Sequence, residues 1–546
     1  MVVVDNLIIN VALPTLSREL GASTSGLQWI VDSYALVFSC LLLAFGGLGD
    51  RFGRKGAIQV GLVAFMACSV WASFATSTTT LILARGAMGI GAAAVFPATL
   101  AILIDVFRDP VERAKAIGVW SAVSGMAVAF GPVTGGFLLE HFYWGSVFLV
   151  NVPIVIIALV LGAVFIPTSK DPNPHRLDFP GLGLSIAMVG LLVYTVIEGP
   201  HRGWASAETL ASFAGALVLL FAFVKRELST SEPLLDVRVF RNARLSAATG
   251  AIGIAFFVLF GFTFLVTQYF QFVRGYSTLS AGVHTLPFAL GAGVTAPIAA
   301  RLALKFGTKR IVSLGLTNMA IGLIIIGTAE ADTAYFGPVI ISMLFLANGL
   351  ALVTSPATDA VMGELPREKA GIGSAVNDVS REVGGTLGVA ISGSVFASLY
   401  GPKLGELLAK FNMPAEAVAL AKESAGAGFA VAEMSPNPEA AAAVRQAVSE
   451  AFMHGFHTAG FTGAGGQVLE ERQALVGHSR ERRRHATVSS LERRPTASIA
   501  RPVGVFNMAS DSPPAPNCAA KIAKMPWARM IQKVKPTKIN PPISRI

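Results

Sequence analysis

Three ionisable side chains lie inside apolar stretches of the sequence, where charge is unexpected. They are Asp5, Asp32 and Arg85. An arginine in hydrocarbon is costly and normally faces a cavity or a carboxylate. A carboxylate in a low-dielectric cavity favours its protonated form, whereas a nearby arginine favours the charged form. We therefore predict that Asp5 and Asp32 respond to Arg85 and exchange a proton when their surroundings change.

Each of these residues also has a structural alternative. Arg85 lies only a few residues from the loop at Thr78, so its side chain could extend to the outer surface. Asp5 could cap a helix or pair within a bundle. Asp32 lies close to the outer end of its apolar stretch and could be solvated or pair with another helix.

A second polar group lies late in the chain. Asp378 and Glu382 stand four residues apart and share one helix face, with Arg381 beside them. They could form a site for cationic cargo or a second proton site. The alternative, which the short distance to the preceding loop favours, is an ion-pair network that includes the charged residues of that loop: Glu364, Arg367 and Lys369. Aromatic residues within 256–270 could line an apolar cargo cavity.

The composition places these residues in a membrane. Of the 546 residues, 53% are hydrophobic and 14% are charged, which is too apolar for a soluble protein of this size. The three cysteines and eight histidines lack the spacing of a disulfide framework or a metal site. The sequence contains no nucleophile–base arrangement, so we expect neither an enzyme nor a cofactor.

The net positive charge of the chain comes from its C-terminal tail. The formal net charge is +10, and residues 466–546 contain 15 basic and 5 acidic residues. The rest of the chain is therefore neutral, and its charge does not indicate nucleic-acid binding. We expect a disordered tail that replaces the rest of a last span, with a functional tail that binds anionic lipid as the alternative.

Apolar stretches long enough to cross a bilayer recur along the chain. We predict spans at 27–46, 57–75, 79–104, 114–138, 145–166, 180–199, 207–224, 245–272, 279–300, 310–329, 335–355 and 373–400. Stretches at 2–14 and 452–465 are shorter, so the first and last spans are expected to be truncated. Basic residues concentrate in alternate loops, beginning with the turn at Gly47, which places that turn in the cytoplasm.

The predicted fold is an all-α polytopic membrane bundle with four regions. The first is a helix bundle at 1–166, and the second, at 167–244, contains two inserted spans and a cytoplasmic loop. A second bundle covers 245–465 with an outer loop at 401–451, and the tail covers 466–546. A weak copy of 53–62 at 307–316 indicates an internal repeat, and paired halves of this kind place a transport site at their interface.

The turn between the second and third spans is charged and rich in glycine. Its distinctive residues are Gly47, Asp50, Arg51, Gly53, Arg54 and Lys55. This turn resembles the signature of the major facilitator superfamily at the same place. The segments 5–14 and 271–277 resemble motifs of its 14-span drug/proton antiporter branch. The segment 81–89 resembles the superfamily motif around a membrane-buried arginine, although Met88 replaces the usual polar residue.

The resemblance implies two six-helix bundles plus two inserted helices, with Arg85 involved in proton coupling. It also implies that the charged turn acts as a cytoplasmic gate latch between the bundles. Asp50 and Arg54 stand four residues apart, and Glu112 or Arg113 are the expected partners from the next cytoplasmic loop. The second copy of the turn has Leu304 where Asp50 would fall, so only the first copy keeps a complete latch.

The predicted fifth span resembles the antiporter motif of the same superfamily. Its residues are Gly125, Gly131, Pro132, Gly135 and Gly136. Small residues four apart let two helices approach closely, and a proline bends its helix. The resemblance implies export rather than uptake.

These features together imply a proton-coupled secondary transporter in the cell inner membrane or plasma membrane. It would export small hydrophobic or amphipathic compounds, often cationic, by alternating access. The expected partners are the small-molecule cargo, protons and the lipid bilayer, the proton gradient supplies the energy, and we expect a monomer. The alternatives are an uptake or lipid transporter of the same fold and a truncated membrane protein that does not transport.

Overall fold

Helices make up almost all of the described chain. The structure, a computed structural model, describes residues 1–107, 109–169, 178–364, 370–411, 413–435 and 437–461. The described residues contain no β-strand and form one contiguous unit. Eleven of their helices have the length and apolar composition of membrane spans. The predicted all-α polytopic fold is therefore confirmed.

Six helices form the first half. They are α1 (Val2–Glu19), α2 (Thr24–Phe52), α3 (Arg54–Ser73), α4 (Thr78–Val106), α5 (Pro110–His141) and α6 (Ser146–Phe165). Serine side chains begin two of them, because Ser23 accepts a hydrogen bond from the Gly26 amide and Ser77 accepts one from Thr80. The first helix continues through Pro14 to Glu19, beyond the apolar stretch at 2–14.

The two inserted helices are α7 (Phe179–Arg202) and α8 (Ala207–Ser229). Their cytoplasmic ends are joined by Arg226, which donates hydrogen bonds of 3.2 and 3.0 Å to the Asp178 carboxylate. A short 3₁₀ helix, Val237–Arg241, then leads into the second half.

The second half contains α9 (Ala243–Val273), α10 (Thr278–Phe306), α11 (Thr308–Gly327), α12 (Tyr335–Gly363), α13 (Ala370–Leu408) and a last helix, α14, over 438–461. Two short helices, Ala415–Glu423 and Ala425–Glu433, lie between α13 and α14. Much of the expected outer loop is thus helical, and α14 begins well before the apolar stretch at Phe452. Its early turns bury Val444 and Val448, which are spaced four residues apart and pack with Phe452 in the core.

The internal repeat is visible in the backbone of its two turns. Gly53 and Gly307 both have positive φ angles, +117° and +88°, a conformation that favours glycine. Their amides donate equivalent hydrogen bonds, to Gly49 at 2.9 Å and to Ala303 at 2.8 Å. At the position equivalent to Asp50, Leu304 is 91% exposed. The two turns therefore share a backbone conformation, but the second turn has a leucine where the first has the acidic residue of the latch.

The two halves are joined by hydrogen bonds toward the outer side. Ser277 and the Leu279 amide donate to Glu140 at 2.8 and 3.0 Å, and Thr278 donates to the Gly136 carbonyl at 3.0 Å. Gln271 donates to the Val11 carbonyl at 2.8 Å. On the cytoplasmic side, the ion pairs found among the described residues stay within one half or within the inserted pair. The molecule is thus closed on its outer side.

The inserted helix α7 contacts both halves near the outer side. Trp29 of α2 donates a hydrogen bond of 3.2 Å to Glu198 of α7. From the second half, Ser394 of α13 donates to the Val196 carbonyl at 2.7 Å. The inserted pair is therefore packed against the junction of the two halves, through α2 and α13.

Candidate functional site

An ion pair buried in the first half is the centre of the candidate site. The Arg85 Nη1 atom lies 2.5 Å from the Asp5 Oδ2 atom, and both side chains are inaccessible to solvent. The Arg85 Nε atom donates to the Ile30 carbonyl at 3.2 Å, and the guanidinium lies 4.4 Å from the centre of the Tyr34 ring. The pair joins α1, α2 and α4. Arg85 therefore does not extend to the outer surface.

Helix α6 completes the surroundings of Asp5. The Asn151 side chain donates to Asp5 Oδ1 at 2.7 Å and lies 3.1 Å from the Ser69 hydroxyl. Ser69 donates in turn to the Phe148 carbonyl at 2.9 Å. Both oxygens of Asp5 thus accept hydrogen bonds, one from a charged donor and one from a neutral donor. The contact with Arg85 is charge-assisted, and charge-assisted hydrogen bonds are stronger than neutral ones.

Asp32 is also fully buried, but its surroundings differ from those of Asp5. Neither of its carboxylate oxygens has a hydrogen-bond partner among the described residues. The Tyr34 hydroxyl and the Arg85 Nη2 atom share this condition. A buried polar group is costly unless water or a ligand satisfies it. Asp32 is therefore not solvated at a helix end, which was one of the structural alternatives.

The charged turn makes its contacts within the first half. Arg54 lies 2.7 Å from Asp50 and donates to the Ser169 hydroxyl at 3.0 Å. Ser169 donates to Asp105 at 2.6 Å, and Asp105 lies 3.8 Å from Arg54. Glu112 is not among these partners, and the side chain of Arg113 lies outside the described residues. The partner from the next segment is therefore Asp105, at the end of α4, rather than Glu112.

Other residues of the turn are more exposed. Lys55 donates to the Ala163 carbonyl of α6 at 2.8 Å, and the Arg51 guanidinium lies over the Phe52 ring at 5.6 Å. Gly47 lies in the last turns of α2, before Gly53 ends that helix.

We expect Asp50→Asn to slow transport severalfold while the protein still inserts into the membrane. The substitution removes the charged partner of Arg54 but preserves side-chain shape, so it weakens the turn without disturbing packing. Transport rate and membrane protein level are the measurements. Lys309→Gln, in the second copy of the turn, is the matched control and should transport normally. A normal transport rate for Asp50→Asn would show that the turn only connects α2 to α3.

Two glycines of the antiporter motif pack against α1 in the first half, and a third packs against α10 in the second half. An added Cβ at Gly135 would lie 2.5 Å from Ile8 of α1, and one at Gly131 would lie 3.1 Å from Leu7. An added Cβ at Gly136 would lie 2.5 Å from the Thr278 carbonyl oxygen of α10. Pro132 lies inside α5 with these glycines, and Gly125 lies one turn and a half earlier in the same helix. The motif therefore permits close packing at the outer closure.

The polar residues predicted as a second site, on α13, contact residues of the same helix and of α9. Asp378 accepts a hydrogen bond of 3.3 Å from Asn377 and lies 3.9 Å from Arg381. The Arg381 guanidinium lies 4.5 Å from the centre of the Phe256 ring. Glu364 instead binds Arg244 at 2.9 Å, so it does not join the predicted network. Arg367 and Lys369 lie outside the described residues.

Sequence reasoning missed several residues of the site. Asn151 and Tyr34 contact the buried ion pair, and Ser69 contacts Asn151. All three are uncharged, so the search for buried charge did not indicate them. The sequence signal that could have indicated this part of the site is Asn151, an amide side chain within the apolar stretch of α6. Among the described residues there is no cluster of side chains that could hold a metal ion.

Comparison with known proteins identifies the family. The sequence profile described as the Major Facilitator Superfamily matches residues 1–389. The chain is 34% identical to the multidrug resistance protein Stp of Mycobacterium tuberculosis over 398 residues, which cover 73% of this chain and 74% of that protein. It is 35% identical to the methyl viologen resistance protein SmvA of Salmonella typhimurium over 477 residues, which cover 86% and 93%.

A third relative and a solved structure agree with these matches. The multidrug efflux pump LfrA of Mycolicibacterium smegmatis is 33% identical over 432 residues, 79% of this chain and 85% of that protein. The fold resembles a bacterial homologue of the human lysosomal transporter Spinster, crystallised in an inward-facing and unoccupied conformation. The TM-score is 0.59 at 18% identity, and the match covers 87% of this chain and 95% of that one.

Proposed function

The chain belongs to the major facilitator superfamily, and from this premise we propose that it exports small hydrophobic or amphipathic compounds, often cationic, in exchange for protons. It is a multi-pass protein of the cell membrane and a transporter rather than an enzyme. The relatives named as multidrug resistance and efflux proteins support export as the direction.

The buried Asp5–Arg85 pair is the observation that supports proton coupling most strongly. A charge pair removed from solvent is expensive to maintain unless its geometry is good. Here the ion pair is 2.5 Å long, and Asn151 satisfies the second carboxylate oxygen. A movement of α1 against α4 would separate Asp5 from Arg85 and favour protonation of the carboxylate.

Asp32 is the candidate for a second proton-binding group in the first half. It lies on α2, the helix whose Ile30 carbonyl accepts a hydrogen bond from Arg85, and it lacks a partner among the described residues. A buried carboxylate without donors is more stable when protonated. Asp5 is thus held by two donors, whereas Asp32 has none among the described residues, so the two carboxyl groups offer a proton different surroundings.

The contacts between the halves support alternating access as the mechanism. Glu140 and Gly136 of α5 bind the beginning of α10 on the outer side. Arg54 on the cytoplasmic side is occupied by partners of its own half. Opening outward would require the first contacts to break, and closing inward would require the halves to approach around the charged turn.

Efflux of a fluorescent lipophilic cation from cells that express this chain tests the proposal. We expect these cells to retain less dye than cells without the chain, and an uncoupler should remove the difference. Asp5→Asn should also remove it, because the amide cannot exchange a proton. Efflux that resists both the uncoupler and Asp5→Asn would contradict antiport, and greater dye retention would indicate uptake.

A further inference from the structure

A cavity in the described chain lies beside the inserted helices, and neither Asp5 nor Arg85 lines it. Its volume is 570 Å³, within the range of about 300–1,000 Å³ usual for ligand pockets. It is enclosed by α2, α7, α8, α9, α13 and the connector between α8 and α9. Representative lining residues are Cys40, Met188, Phe223, Leu235, Phe240 and Phe257.

The lining of this cavity suits hydrocarbon. It contains no charged side chain. Each of its five hydroxyl groups donates to a backbone carbonyl near its own position in the chain; they belong to Ser39, Ser185, Ser246, Thr249 and Ser380. The hydroxyl protons are therefore already used, and the remaining surface is mostly apolar. A charged or strongly polar ligand would lose its hydration here without compensation.

The cytoplasmic edge of the cavity is basic. Phe240 lines the cavity, and Arg241 follows it directly on the exposed side of the connector. Basic residues outnumber acidic ones five to three over 225–244. Arg226 and Arg244 are paired with Asp178 and Glu364, but Arg241 makes no ion pair among the described residues.

We propose that this cavity binds an acyl chain of an anionic phospholipid from the cytoplasmic leaflet, with the headgroup held by Arg241. The apolar volume would receive the chain, and the exposed guanidinium would bind the phosphate bidentately. Basic residues at the cytoplasmic ends of membrane helices bind anionic headgroups in this way. The occupant is a lipid rather than cationic cargo, because the lining lacks a carboxylate.

Bound lipid would link the inserted helices to the transport cycle. The cavity touches α2 of the first half and α9 and α13 of the second half, which must move relative to each other. A chain seated between them fills space that would otherwise be a void. The site is independent of the proton-coupling residues, so the proposal does not depend on the direction or coupling of transport.

Native mass spectrometry of the full-length protein in detergent, titrated with phosphatidylglycerol or phosphatidylcholine, tests this site. We expect preferential binding of phosphatidylglycerol. Arg241→Gln should weaken it about fivefold, since one basic residue near a membrane surface contributes about 1 kcal/mol. Arg301→Gln, another exposed cytoplasmic arginine, is the matched control and should bind as the unmodified protein does.

A second pair of variants tests the cavity itself. Ser185→Phe should narrow the cavity and weaken phosphatidylglycerol binding, whereas Ser185→Ala preserves the space and should retain binding. Unchanged binding in both Arg241→Gln and Ser185→Phe would overturn the proposal, as would equal affinity for the two lipids. Displacement of lipid by a transported dye, with dye binding lost in Ser185→Phe, would assign the cavity to cargo and also overturn it.

Discussion

Arg85→Ala is expected to abolish proton-coupled transport, with a fall of at least about a hundredfold in efflux rate. The substitution leaves the Asp5 carboxylate buried with Asn151 as its remaining donor among the described residues. Removing one partner of a buried pair costs about 3–5 kcal/mol, which corresponds to a hundredfold or more in an equilibrium. Asp5 would then keep its proton and could not exchange it.

A double variant distinguishes loss of folding from loss of proton exchange. Asp5→Asn combined with Arg85→Ala replaces the buried carboxyl group that has lost its partner, so its melting temperature should exceed that of Arg85→Ala alone. It should nevertheless remain inactive. Arg202→Ala, at the exposed outer end of α7, is the control for loss of an arginine. Efflux at a normal rate by Arg85→Ala would contradict the role given to the buried pair.

Gly136→Ala is expected to have the second largest effect, because it prevents the outer side from closing. The new Cβ would lie 2.5 Å from the Thr278 carbonyl oxygen and 2.7 Å from the Leu279 Cα atom, both backbone atoms of α10. Such overpacking costs about 1–3 kcal/mol. The conformation closed on the outer side would therefore be disfavoured by about five- to a hundredfold, and efflux should fall accordingly.

Accessibility of Ser17, which is buried at the outer junction opposite Ser424, reports the outer closure. In a Ser17→Cys background, Gly136→Ala should speed labelling by an impermeant thiol reagent added outside. Gly190→Ala in α7 is the matched control, because an added Cβ there meets no atom within 4 Å. Slow labelling together with full transport in Gly136→Ala would show that the close approach is not required.

The buried ion pair was predictable because charge is rare in apolar stretches. Asp5, Asp32 and Arg85 stood out from their surroundings, and the cost of burying them pointed to mutual contact. Their different surroundings were not predictable. Whether Asn151 reaches Asp5 or Asp32 depends on how α6 packs against α1 and α2, and this packing joins residues 146 positions apart.

The helix ends and the latch partners were harder to predict for related reasons. The start of α14 was missed because its first turns are rich in alanine and charged residues, and their burial depends on tertiary packing. Arg54 finds Ser169 and Asp105 because α4 and α6 end beside the charged turn. Asp105 precedes the next loop in the sequence, so considering only that loop predicted Glu112 instead of Asp105. The repeated glycines at 53 and 307 were recognisable, since one conformation requires them both.

Proton release on cargo binding would show directly whether Asp5 and Asp32 exchange protons for cargo. A lipophilic cation is added to the purified, full-length protein in weakly buffered detergent solution, and a pH-sensitive dye reports the medium. The account predicts acidification by the unmodified protein and none by the Asp5→Asn/Asp32→Asn double variant, at equal amounts of folded protein. Binding of the cation without acidification, or equal acidification by the double variant, would contradict proton exchange at these carboxylates.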